Sequence, residues 1–148
     1  MIRECTADDI QRLITLYRKF FEKHSVFTRS DEEIRGYLER QTDTCLVEVD
    51  EEGVHAATFL VRKGEEQGHA LWKLRHFAYE TGSAAEQLLA EAERRITEAS
   101  ETAKIECTLA EDEASVGFFR SHGYAQEGAF KHHYRWDEDC LVFGKAFQ

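Results

Sequence analysis

Proline is absent from this 148-residue chain, and methionine occurs only at position 1. Every turn must therefore be closed by glycine, aspartate or other polar residues rather than by a pyrrolidine ring. Cysteine is scarce: Cys5, Cys45, Cys107 and Cys140 lie far apart with no C-x-x-C pair, which argues against a zinc knuckle or a local redox motif and leaves buried reduced thiols as the expectation. His132 and His133 could meet Cys140 across a hairpin, but no metal site is assigned there. There is no apolar run of about 18 residues and no basic-then-apolar leader, so neither a membrane span nor a secretory signal is expected, and the cytoplasm is the expected location. Basic residues are also in deficit, 19 against 29 acidic ones, for a net charge of −10. That balance disfavours nucleic acid and anionic membranes and favours a cationic partner. Repeats, low-complexity tracts and linkers are missing too, so residues 1–148 are expected to form a single domain.

What is present centres on Phe77 to Leu89, FAYETGSAAEQLL. An apolar, aromatic run breaks at Gly82 and a helix begins at once, with Leu88, Leu89, Ala92 and Ile96 on one face. Ser83 and Glu86 have the S-x-x-E spacing of a capping box, in which the serine hydroxyl accepts a backbone N–H and the glutamate reaches back. A helix start of this kind presents N–H groups that have no intrahelical acceptor, reinforced by the helix dipole, and so favours an anion such as phosphate. Many strand-to-helix turns share these residues and bind nothing.

The remaining periodicities bring the expected elements to eleven. Ile2 to Cys5 reads as a strand, and Thr6 with Asp9 marks the start of a helix carrying Ile10, Leu13, Ile14, Tyr17, Phe20 and Phe21 to about His24. Ser30 and Glu33 open a shorter helix with Ile34, Tyr37 and Leu38. Three β-rich runs follow: Cys45 to Val49, Val54 to Lys63 and Ala70 to Tyr79, joined at Asp50–Gly53 and at Gly64–Gly68. After the Ser83 helix, Lys104 to Leu109 alternates as a strand, with Ile105, Cys107 and Leu109 on one face and Lys104, Glu106 and Thr108 on the other. Ala114 to Ser121 is a short helix stopped by Gly123. Ala129 to Trp136 and Leu141 to Phe147 complete an antiparallel hairpin. The order is β-α-α-β-β-β-α-β-α-β-β.

That order, across essentially the whole chain, resembles the GNAT superfamily of acyl-CoA N-acyltransferases. IRECTADDIQRLITLY looks like the family's opening strand and helix, and LVEVDEEGVHAATFLV like its second and third strands. DEASVGFFRSHGY, Asp112 to Tyr124, is similar to the late helix N-x-x-A/S-x-x-F-Y-x-x-x-G-F and is the most specific match. The resemblance implies an α/β (α+β) fold, a mixed, mostly antiparallel twisted sheet of about seven strands flanked by four helices. Two positions depart from the pattern. Glu80 leads the segment matched to the pyrophosphate loop, where a basic or amide residue is usual, and Phe119 stands where many members carry a proton-donating tyrosine.

The resemblance further implies transfer of an acetyl (acyl) group from acetyl-CoA to an amine by direct attack, with no covalent enzyme intermediate. Gly82, Ser83, Ala84 and Ala85 would hold the pyrophosphate through backbone N–H groups. Phe77 and Ala78, or His76 beside them, would hold the acyl carbonyl, and Asp112 and Phe119 belong to the cofactor-binding late helix. Glu106, on the polar face of its strand, is the expected base, with Glu48 and His76 behind it. Tyr134 is the expected acid in place of Phe119, with Tyr124, Ser121 and His122 as alternatives. The acceptor is expected to be an amine-bearing small molecule or peptide, and edge strands near the C-terminus admit a homodimer. The rival reading is a degenerate GNAT-like module that binds coenzyme A or a protein without turnover.

Overall fold

The computed structural model describes residues 1–111 and 113–148. Its elements are β1 (Ile2–Glu4), a single 3-10 turn (Ala7–Asp9), α1 (Ile10–Phe20), α2 (Asp31–Glu39), β2 (Thr44–Asp50), β3 (Gly53–Glu66), β4 (His69–Tyr79), α3 (Gly82–Glu98), β5 (Thr102–Ala110), α4 (Ser115–Ser121), β6 (Ala125–Arg135) and β7 (Glu138–Phe147). Among the described residues the seven strands form one sheet in the order β1-β2-β3-β4-β5-β7-β6. β1 with β2, β2 with β3, β5 with β7 and β6 with β7 pair antiparallel, whereas β4 and β5 pair parallel. The expected element order therefore holds.

By internal packing the chain divides into residues 1–61 with 76–95 and residues 62–75 with 96–148. In the first unit, α1 and α2 place their apolar stripes against β2 and β3. Leu13, Ile14, Leu16 and Tyr17 of α1 join Ile34 and Leu38 of α2, Val47 and Val49 of β2, Phe27, Val54, Ala57, Phe59 and Ala78 in one buried cluster. Each large aliphatic or aromatic side chain removed from water there contributes about 2 kcal/mol. The same unit holds the start of α3, whose Ala84, Ala85, Leu88, Leu89 and Ala92 are buried at helical spacing.

In the second unit β5 follows its predicted alternation, burying Ala103, Ile105, Cys107 and Leu109 and leaving Lys104, Glu106 and Thr108 half-buried. Its parallel ladder with β4 runs from His69 opposite Thr102 to Lys73 opposite Glu106, and its ladder with β7 continues to Ala110 opposite Cys140. Phe119 of α4, Tyr124, Phe143 and Cys140 complete the buried side of this unit.

Three local expectations change. β3 runs through Gly64 to Glu66, and the turn falls on Gln67 and Gly68, with φ of 52° and 82°. Two successive left-handed residues match the right-handed twist of the flanking strands in a tight hairpin. β6 and β7 begin earlier than expected, at Ala125 and Glu138. α1 ends at Phe20 rather than near His24, because Phe21 leaves the helical region at φ −105° and ψ 64°.

Candidate functional site

β4 leads into α3 through Glu80 and Thr81. The Glu80 N–H donates to the His55 carbonyl at 2.8 Å, so the chain is held to β3 one residue past the end of β4. Thr81 then caps the helix: its hydroxyl accepts the Ala84 N–H at 3.2 Å and its carbonyl accepts the Ala85 N–H at 3.1 Å. The expected Ser83–Glu86 capping box is thus replaced by a threonine two positions earlier. The reason is that the helix already starts at Gly82, which puts Ser83 inside the first turn, where its hydroxyl accepts the Gln87 amide at 3.5 Å. With Ala84 and Ala85 satisfied, Gly82 and Ser83 hold the first-turn N–H groups that a helix leaves for outside acceptors. Both residues are exposed, and a Cβ built on Gly82 would meet nothing within 4 Å among the described residues. Ala84 and Ala85, by contrast, point their side chains into the core, 6% and 0% exposed.

Glu80 is the obstacle to an anion at this helix start, and the structure shows what becomes of its charge. Its carboxylate lies 3.0 Å from His55 Nδ1, and His55 Nε2 lies 2.7 Å from Asp50. The Asp50 hydrogen bond, and after it that of Glu80, pushes the His55 pKa up. A protonated His55 so placed neutralises one of the two carboxylates. Asp50, Glu52 and His55 also bring potential ligand atoms within 4.8 Å of one another. Both His55 ring nitrogens are already occupied, which makes the group a hydrogen-bonded charge network rather than an open coordination set.

Three residues before the end of β4, His76 has φ of 53°. A left-handed residue inside a strand is uncommon, and for a non-glycine it costs about 1 kcal/mol or more. Surrounding contacts hold it there. Its Nε2 lies 2.7 Å from the Tyr37 hydroxyl, and its ring packs 5.1 Å from Phe27, 5.3 Å from His24 and 5.9 Å from Tyr17. Phe77 and Ala78, just beyond, are buried at 4% and 0% exposure. Tyr37 and His24 were not among the expected site residues. Tyr37 reads in sequence only as part of an apolar stripe, and nothing local announces that its hydroxyl meets a histidine 39 positions away.

In the second unit Glu106 is half-buried and paired with Lys63 Nζ at 2.7 Å. Lys73, opposite it on β4, has a pKa lowered first by burial and then by the Lys63 charge, with Glu106 opposing. Tyr134 is 69% exposed, its ring 4.5 Å from that of His133. Glu106 shares a row with Gly144 of β7 and Ala125 of β6, whereas Tyr134 adjoins Arg135, which pairs with Glu138 six residues away along β7, roughly 20 Å at the rise of a strand. The two expected catalytic residues are therefore not brought together. Phe119 is fully buried, packed 5.2 Å from Tyr124. Asp112 lies outside the described residues. His132 stacks on Trp136 and bonds its carbonyl, while Cys140 is buried opposite Phe130.

No family model and no curated protein matches this sequence. Solved structures do match it along its length. A ribosomal-protein-alanine N-acetyltransferase from Brucella melitensis is 21% identical, with 98% of each chain covered and a TM-score of 0.71. An aminoglycoside 6'-N-acetyltransferase from Enterococcus faecium is 12% identical, covering 99% of this chain and 96% of its own, at a TM-score of 0.74. An aminoglycoside 6'-N-acetyltransferase complexed with coenzyme A is 13% identical over 99% of this chain and 96% of its own, at 0.66. At such identities the likeness concerns the backbone alone, and on that ground the chain has the GNAT fold.

Proposed function

We propose that this protein is an N-acetyltransferase, a single GNAT domain over residues 1–148 that uses acetyl-CoA as cosubstrate and an amine as acceptor. The observation that carries the reading is the first turn of α3, capped by the neutral Thr81, with Gly82 and Ser83 exposed and the Glu80 carboxylate drawn onto His55. Coenzyme A supplies the activated acyl group as a thioester. The Gly82 and Ser83 N–H groups, at the positive end of the helix dipole, bind its pyrophosphate, and Ala84 and Ala85 keep the turn narrow. The backbone around Phe77 and Ala78, next to the left-handed His76, takes the carbonyl oxygen. Donors fixed in advance stabilise negative charge as the amine attacks, at no reorganisation cost during the step.

The amine must reach the carbonyl carbon neutral, since an ammonium has no lone pair. Glu106 is the base assigned by the resemblance, its carboxylate paired with Lys63 Nζ at 2.7 Å. His76, hydrogen-bonded to Tyr37, is the second group able to take a proton near neutral pH. Tyr134 stands as the assigned acid for the departing thiolate. That help is dispensable in part, because a thiol with a pKa of about 8.5 leaves without it. The excess of acidic residues favours a cationic acceptor such as a polyamine or a basic peptide.

The test is titration calorimetry with acetyl-CoA, followed by thiol release in the presence of a panel of amines. Micromolar binding with amine-dependent thiol release supports the reading. Binding without release favours the rival, a coenzyme A-binding module without turnover, to which the fully buried Phe119 and the exposed Tyr134 point. Glu106→Gln is expected to cut turnover about 100-fold and remove the acid limb of the pH–rate profile while leaving acetyl-CoA affinity in place. An unchanged profile transfers the base to His76.

A further inference from the structure

Two thiols meet in the first unit without any part in acyl transfer. β1 and β2 run antiparallel with Glu4 opposite Leu46, so Cys5 and Cys45 are the next residues to face one another, and the Cys5 N–H donates to the Cys45 carbonyl at 2.8 Å. Directly opposed residues in such a pair have Cα atoms about 4.5–5.5 Å apart, within the roughly 4.4–6.8 Å that a disulfide spans. The two side chains share a face of the sheet. The neighbouring thiols perturb one another, lowering the Cys5 pKa and raising that of Cys45, and the Cys5 thiol donates to the Thr6 carbonyl at 3.5 Å. Both residues are half-buried, and both line a cavity of about 310 Å³ together with Thr6, Leu13, Gln41 and Phe59. A cavity of that volume admits a small molecule without unfolding. Cys107 and Cys140 differ: both are buried, and burial pushes each thiol up.

We propose that Cys5 and Cys45 form an oxidation site that closes reversibly as a disulfide when a small-molecule disulfide enters this cavity. The Cys5 thiolate attacks one sulfur of the reagent, forming a mixed disulfide and expelling one reagent thiolate, which takes up a proton. The Cys45 thiol then gives its proton to solvent, and its sulfur attacks that of Cys5, expelling the second reagent thiolate. The protein loses two electrons and two protons, and the reagent disulfide gains both as two thiols. The cross-link ties the three-residue strand β1 to β2 and closes Thr6–Thr44, with α1 and α2, into a loop. Closing a loop of that length restricts the unfolded chain and raises the melting temperature by about 10 °C.

The test incubates the native protein with hydroxyethyl disulfide, a neutral reagent, and then maps it by intact and peptide mass spectrometry. The expected product has lost two hydrogens, joins the peptides containing Cys5 and Cys45, keeps Cys107 and Cys140 reduced, melts about 10 °C higher and reverts with dithiothreitol. In Cys5→Ser and Cys45→Ser the remaining cysteine is expected to stop at a mercaptoethanol adduct, with no rise in melting temperature. Adducts on both cysteines of the wild-type chain without a bond between them, a bond involving Cys107 or Cys140, or no modification would each overturn the proposal. Because the first measurement uses the unaltered chain, a folding defect in a variant does not decide the outcome.

Discussion

Two helix starts in the same unit carry the same backbone chemistry and are treated in opposite ways. At the approach to α1 the protein supplies its own anion. Asp9 accepts the Thr6 N–H at 2.8 Å and two bonds from Arg3, at 2.6 and 3.0 Å, and is 4% exposed. At α3 the cap is the neutral Thr81, the first residues are Gly82 and Ser83, and the nearest acid faces His55. A helix start filled by a paired carboxylate serves stability. One left uncharged and open keeps its donors for a ligand, and the segment around it gains less from its own contacts.

Exchanging the two designs should break this contrast most severely at α3. Ser83→Asp places a carboxylate in the first turn, against the proposed pyrophosphate. Acetyl-CoA affinity by calorimetry is expected to fall at least about 100-fold with no loss of thermal stability, since an acid there favours the helix itself. Unchanged affinity would move the anion site elsewhere.

The opposite operation at α1, Asp9→Asn, removes the built-in anion. Arg3 holds the Asp9 pKa at about 2, below its reference of 3.8. The depressed folded value means that this stabilisation, about 2 kcal/mol, is present above the unfolded pKa and is lost as pH falls from about 4 toward 2. Urea unfolding at neutral pH should show the variant weaker by that amount, and the difference should shrink toward zero near pH 2. A constant difference at all pH values would assign the loss to packing instead.

The smallest expected effect sharpens the role of His55. Its pKa is raised by Asp50 and Glu80, so His55 is protonated, and Glu80 neutralised, below that raised value. As pH rises through it, the Glu80 charge is uncovered, and acetyl-CoA affinity should weaken about threefold, the effect of one charge some 7 Å away in a water-like dielectric. Glu80→Gln should bind more tightly at the higher pH, and His55→Gln should abolish the pH dependence. If the His55 variant keeps the wild-type pH dependence, the His55–Glu80 pair has no bearing on the site.

Much of the architecture was legible because each element repeats its own signal. The stripe of Leu13, Ile14 and Tyr17 and the alternation of Ile105, Cys107 and Leu109 both survive in the fold, since burial of one face is what each pattern encodes. The Gly82 junction was legible for the same reason. Its cap was misplaced because S-x-x-E is a stronger local pattern than a lone threonine, and Thr81 becomes the cap only through where β4 stops. Glu106 and Tyr134 were each reasonable by residue type, but their separation along the strands follows from the register of β5, β7 and β6.

By itself the sequence determined the order and amphipathic faces of the elements, the uncharged turn at Gly82 and Ser83, and the acidic excess. These depend on neighbours a few residues apart, whose periodicity and chemistry are local. Only the tertiary structure decided that Glu80 meets His55, that Tyr37 meets His76, and that Cys5 faces Cys45. Those meetings join residues 25, 39 and 40 positions apart. They arise because strand pairing and helix docking, driven by burial of the apolar faces, carry polar groups into contact that no local pattern relates.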